Sequence, residues 1–92
     1  MHEAGLAQSV IECCTAELQA RGGGRVTVVG LRIGALASVD VEAFRFCFDA
    51  LKQDTPLCSA VLAIDHIGAG APFDEATALD LRYLEFDTEV QS

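Results

Sequence analysis

Four cysteines and two histidines are the residues of this 92-residue chain best suited to hold a transition-metal ion. The cysteines are Cys13, Cys14, Cys47 and Cys58, and no two of them stand at the Cys-x-x-Cys spacing of a tetrahedral zinc site. Cys13 and Cys14 are adjacent, so on a helix their side chains point about 100° apart and cannot easily clamp one ion together. Each cysteine is expected as a small buried hydrophobe in a reducing compartment rather than as a ligand or disulfide partner. His2, taken alone, reads as a solvated terminal histidine without a role, and His66 as a surface residue at the end of a strand. No Cys/His or Ser/His/Asp order stands out, and no paired carboxylates sit in an evident cleft motif, so the chain is expected not to be an enzyme.

The elements that must position these side chains follow from periodicity. From Ala4 to Ala20, the apolar residues Leu6, Ala7, Val10, Ile11, Cys14 and Leu18 fall on one arc of a helical wheel, opposite Gln8, Glu12, Thr15 and Gln19. That amphipathic helix ends at Arg21 and the run Gly22, Gly23, Gly24, where continuing would cost about 1 kcal/mol per glycine. A phosphate cradle is disfavoured for this run, because it follows a helix and opens a strand instead of the reverse. Arg25 to Ile33 is rich in β-branched residues and reads as a strand, with Thr27, Val29, Leu31 and Ile33 on one face and Val26, Val28, Gly30 and Arg32 on the other.

Gly34 to Val39 connects to a second helix that Asp40 would cap and that runs to about Lys52. Its stripe is Phe44, Cys47, Phe48 and Leu51, the spacing of one buried face. Phe46 lies opposite, so either a neighbouring segment or a partner covers it, and cover by a neighbouring segment is the expectation. A turn at Asp54, Thr55 and Pro56 precedes a second strand from Ala60 to Ile67, and a third spans Leu79 to Asp87. The order α-β-α-β-β predicts an α+β fold, with two helices packed on one face of a small three-stranded mixed sheet. A crossover through the second helix allows the first two strands to be parallel, with the third returning antiparallel. Leu6, Val10, Ile11, Phe44, Phe48, Leu51, Val29, Leu31 and Ile64 are expected to be largely buried.

Half of the residues are hydrophobic (51%) and 22% are charged, too apolar a balance for a disordered chain. No apolar run reaches the roughly 18 residues of a membrane span. Ninety-two residues suit a single domain, expected over residues 1–92, and the start at Met1, His2 and Glu3 has no basic or apolar leader, which predicts a cytoplasmic location. Fourteen acidic residues against 6 basic ones give a net charge of −8, which repels nucleic acid and anionic membranes and permits, without indicating, the handling of cations.

Several local strings occur in a specific order: MHE at Met1 to Glu3, LAQS at Leu6 to Ser9, IGAL at Ile33 to Leu36, FRFCFDAL at Phe44 to Leu51, TPL at Thr55 to Leu57, and LRYLEFD at Leu81 to Asp87. Together they resemble the HypA family of hydrogenase, and sometimes urease, nickel-incorporation proteins. The resemblance implies a non-enzymatic nickel carrier that works with a nickel-handling GTPase and delivers Ni(II) to the large subunit of a [NiFe] hydrogenase. It places the nickel site on Met1 through its amino group, His2 through its imidazole and amide, and Glu3 through its amide or a supporting side chain. Nickel(II) accepts such a square-planar nitrogen set, in which an amine, deprotonated amides and an imidazole close small chelate rings. Met1 is expected to survive processing, because His2 is not a small residue.

The family's zinc lobe, with two Cys-x-x-Cys pairs between the last two strands, has no counterpart in the string GAGAPFDEATA from Gly68 to Ala78. A short loop is therefore expected to replace the lobe, and zinc is not expected to bind. The competing reading is an adaptor paralogue that keeps the docking surface for the GTPase or hydrogenase and no longer binds metal.

Overall fold

The first helix stops where the sequence stops paying its backbone entropy back. In the computed structural model, which describes residues 3–87, α1 spans Glu3–Ala20 and ends in a Schellman-type turn: Gly23 N–H donates to Leu18 C=O at 3.0 Å and Gly22 N–H to Gln19 C=O at 3.1 Å. Gly22 holds φ at +98°, a left-handed conformation that costs glycine little. The chain then enters β1 (Arg25–Gly34), crosses through α2 (Val41–Leu51) to β2 (Val61–Ile67), makes one short helix α3 (Phe73–Ala76) and returns as β3 (Leu79–Asp87).

The sheet order is β2-β1-β3, with β1 parallel to β2 and antiparallel to β3. This is the expected mixed sheet, with α1 and α2 on one face, and β3 has the bounds read from the sequence. The addition is α3, four residues within the connection read as a plain loop. It sits so close to β1 that a Cβ at Gly34 would collide with the Ala76 backbone. Asp40 caps α2 as expected, its Oδ1 accepting from Ala43 N–H at 3.1 Å.

One core joins both helices to the sheet. Phe44 and Phe48 are fully buried and stacked with ring centroids 6.5 Å apart, among Ala7, Val10, Ile11, Cys14, Leu18, Val29 and Leu31. Leu6 and Ile64 reach this cluster only half-buried.

That falls short of the burial expected for Leu6 and Ile64, and the readings of Leu51, Phe46 and Val26 also need correction. Leu51 is 37% exposed, because seven residues on a 3.6-residue helix fall about 20° short of whole turns and α2 ends there. Phe46 is 75% exposed: no segment among the described residues covers that side of α2. Val26 was placed opposite Val29 by simple alternation, yet both are fully buried in the same cluster. A bulge between the pairs Val26–Phe86 and Val28–Glu85 inserts Thr27 and resets the alternation.

Candidate functional site

Strand direction gathers one set of termini at one end of the molecule. Because α1 runs into β1 through a tight turn, its first residue, Glu3, lies at the far end of the sheet. The same end receives the last residues of β1, the start of α2 and the last residues of parallel β2. Glu3, Asp40 and His66 are thereby brought to one end from three distant stretches of sequence.

The connection between the helices is direct. Asp40 N–H donates to Glu3 Oε2 at 3.0 Å, while the Asp40 side chain caps α2 on Ala43. One residue thus links two helix starts: its amide holds the first turn of α1 and its carboxylate holds the first turn of α2. The Asp40 amide, followed by the backbone amide of Glu3 itself, keeps the Glu3 carboxyl below the ordinary carboxylate range. Glu3 therefore stays ionised at neutral pH and its side chain already has a partner. Of the three residues expected to hold nickel, Met1 and His2 lie outside the described residues, and Glu3 is the one whose surroundings the structure gives.

His66 occupies the penultimate position of β2, paired with Ile33, and is exposed as expected for a strand end. The cysteines are dispersed and free: Cys14 is buried, Cys47 half-buried, and Cys13 and Cys58 are exposed. The expectation of burial fails for those last two: Cys13 borders an open groove between α1 and β3 whose lining includes Leu81, Leu84 and Phe86, and Cys58 lies in the turn after α2. The opposite exposure of neighbouring Cys13 and Cys14 is what helical geometry requires. Burial pushes the Cys14 thiol up to about 11, so it is protonated and a poor ligand at neutral pH. Among the described residues, no three His, Cys, Asp or Glu side chains cluster closely enough to hold a metal ion.

The uncovered face of the sheet carries a groove of about 460 Å³ whose lining includes Arg32, Asp65, Arg82 and Tyr83. Its most enclosed charge, Arg32, is spent on Asp80 at 2.7 Å across β1 and β3. No helix among the described residues is long and apolar enough to cross a membrane.

Sequence reasoning identified Asp40 as a cap and missed its bond to Glu3. The cap has a local signal, an Asp before an apolar-periodic run. The bond joins positions 37 residues apart and has none.

Comparison with known proteins follows the same outline. Residues 1–72 match the family profile described as "Hydrogenase/urease nickel incorporation, metallochaperone, hypA", so β3 lies beyond the matched stretch. The hydrogenase maturation factor HypA of Geotalea daltonii is 46% identical over 69 residues, which is 75% of this chain and 60% of the relative. The HypA of Chlorobium phaeobacteroides is 35% identical over 83 residues, 90% of this chain and 71% of the relative. The chain thus spans about 60% of the length of several curated relatives that it matches. The solution structure of the Ni metallochaperone HypA from Helicobacter pylori superposes with a TM-score of 0.75 over 97% of this chain and 100% of that one; at 16% identity this is a likeness of fold.

Proposed function

Because the chain belongs to the HypA family of hydrogenase/urease nickel-incorporation metallochaperones, we propose that it is itself a nickel carrier that binds Ni(II) at its first residues. The donors are the Met1 amine, the His2 amide and imidazole, and the Glu3 amide. The observation that carries this reading is the bond from Asp40 N–H to Glu3 Oε2, next to the proposed donors. It anchors the first turn of α1 to the start of α2, so the donors that precede it leave from a fixed point. The Glu3 side chain thereby supports the site and leaves coordination to the backbone and His2.

The chemistry suits a carrier more than a store. Amine, amide and imidazole donors must lose protons to bind, so nickel uptake and proton release are coupled. A site at a chain start is also open to a competing ligand on a recipient. The recipient in this reading is the large subunit of a [NiFe] hydrogenase, reached with a nickel-handling GTPase in the cytoplasm, and the chain performs no reaction of its own. The relatives are longer, and the stretch between β2 and β3 here contains neither cysteine nor histidine from Gly68 to Ala78. We therefore place no zinc in this chain and treat residues 1–92 as one nickel-binding domain.

Calorimetric titration of nickel into the unaltered protein and the His2→Ala variant tests the proposal. One nickel per chain is expected for the unaltered protein, with an affinity that falls as pH drops through the histidine and α-amino ranges, about 6.5 and 7.7 to 8.0. His2→Ala should weaken binding by more than about 100-fold, beyond the cost of losing an outer partner of a metal site. Equal affinity in both proteins would remove His2 from the site and leave the adaptor role ahead.

A further inference from the structure

We propose that the free edge of β2 pairs antiparallel with the same edge of a second copy of this chain, in a register centred on Ile64. The sheet order β2-β1-β3 leaves β2 and β3 with one open side each among the described residues. An open strand edge is a template for another strand, and proteins that stay monomeric blunt it with charges, prolines or bulges. The two edges differ in that respect. β3 carries Asp80, Arg82, Glu85 and Asp87, and its pairing with β1 is broken by two register shifts. β2 has a single carboxylate, Asp65, no lysine, arginine or proline, and an unbroken register with β1 from Val61 to Ile67. Nothing in β2 guards its edge, and Val61 at its start is 60% exposed.

Backbone direction decides which groups that edge offers. Ile67 C=O accepts from Ala35 N–H at 2.7 Å, on the β1 side. Backbone groups alternate along a strand, so Val61, Ala63, Asp65 and Ile67 point theirs at β1, while Leu62, Ile64 and His66 point theirs outward. Antiparallel pairing about a two-fold axis at Ile64 sets Ile64 opposite Ile64 of the second copy, and Leu62 opposite His66. These are the outward-facing residues, so each outward N–H meets a C=O and none is left over. The remaining side chains match as well: Val61 meets Ile67, and Asp65 meets Ala63 instead of another carboxylate. Centring the register on Asp65 would oppose the two carboxylates directly. Centring it on Ala63 would set His66 against Ala60, whose C=O already accepts from Lys52 Nζ at 2.8 Å. The axis is normal to the sheet, so the helices of both copies stay on one face and the two three-stranded sheets become continuous. A contact made by one strand is small, so the dimer is reversible and grows with concentration.

Sedimentation equilibrium and amide hydrogen exchange of the metal-free protein test this, so the outcome does not depend on the nickel reading. Reducing buffer keeps the exposed Cys13 and Cys58 from cross-linking copies. The mass should rise from 9.7 kDa toward twice that as concentration climbs to about 1 mM, and the amides of Leu62, Ile64 and His66 should exchange more slowly in step. Ala63→Asp sets a like charge against Asp65 on both sides of the axis and should weaken the dimer more than about tenfold. Ala63→Lys, at the same position, should hold or strengthen it, which separates loss of pairing from loss of fold. A mass that stays at 9.7 kDa throughout overturns the proposal and leaves the edge open to a strand from another protein. Dimerisation that leaves those three amides unprotected, or that is equal in the two variants, places the contact elsewhere and overturns it too.

Discussion

The helix–sheet interface and the end where both helices begin are built from opposite materials. In the interface, Phe44, Phe48, Leu18, Val29 and Leu31 exclude water almost completely, and among the described residues no buried polar or charged residue interrupts them. At the helix starts, Glu3 and Asp40 are held by hydrogen bonds of 3.0 and 3.1 Å, with little apolar burial. The contrast separates two tasks. Burial fixes where the elements lie, and the end they share can then offer polar groups whose loss costs little stability. A carrier benefits from that division, because the groups that take up and release an ion need not be the groups that keep the chain folded.

The comparison breaks most visibly if the interface proves dispensable. Phe48→Ala should cost about 3 to 5 kcal/mol, by removing a fully buried ring and leaving a cavity against Phe44. For a domain whose whole stability is about 5 to 15 kcal/mol, that is a large share, and denaturant unfolding should show the midpoint falling steeply. An unchanged midpoint would mean that the α2 stripe does not hold the sheet.

A smaller effect sharpens the other side. Asp40→Ala removes the side-chain cap of α2 and should cost about 1 kcal/mol, while Asp40→Asn, which can still cap, should cost little. Thermal melts of the two variants check this. If Asp40→Ala melts with the unaltered protein, the start of α2 is held by something other than its cap. The backbone amide that holds Glu3 survives in both variants, so neither should abolish nickel binding.

How much of this was legible depended on whether the cause was local. The α1 arc from Leu6 to Leu18, the glycine stop and the β3 bounds all follow from patterns within a few residues, and they appear as read. Val26 defeated the same reasoning, because a bulge is decided by pairing with β3, 60 residues away. Phe46 did so because nothing in α2 says whether another segment will cover it. The helix α3 has four residues, too few for any period to register. At the candidate site, residues Met1 to Glu3 were singled out by resemblance, and Asp40 by its capping position. The bond between Glu3 and Asp40 depends on two helices, far apart in sequence, beginning at the same end of the sheet.

The central claim, that the chain carries nickel on its own first residues, is tested most directly by adding one residue ahead of Met1. The extension moves the amine by one position and leaves every native side chain in place. The metal-free protein should lose no more than a few tenths of a kcal/mol, as is usual for a terminal change. Calorimetry should nevertheless show nickel affinity falling at least as far as in His2→Ala. An extended protein that binds nickel as tightly as the unaltered one would contradict the account, because no site built on the Met1 amine tolerates its displacement.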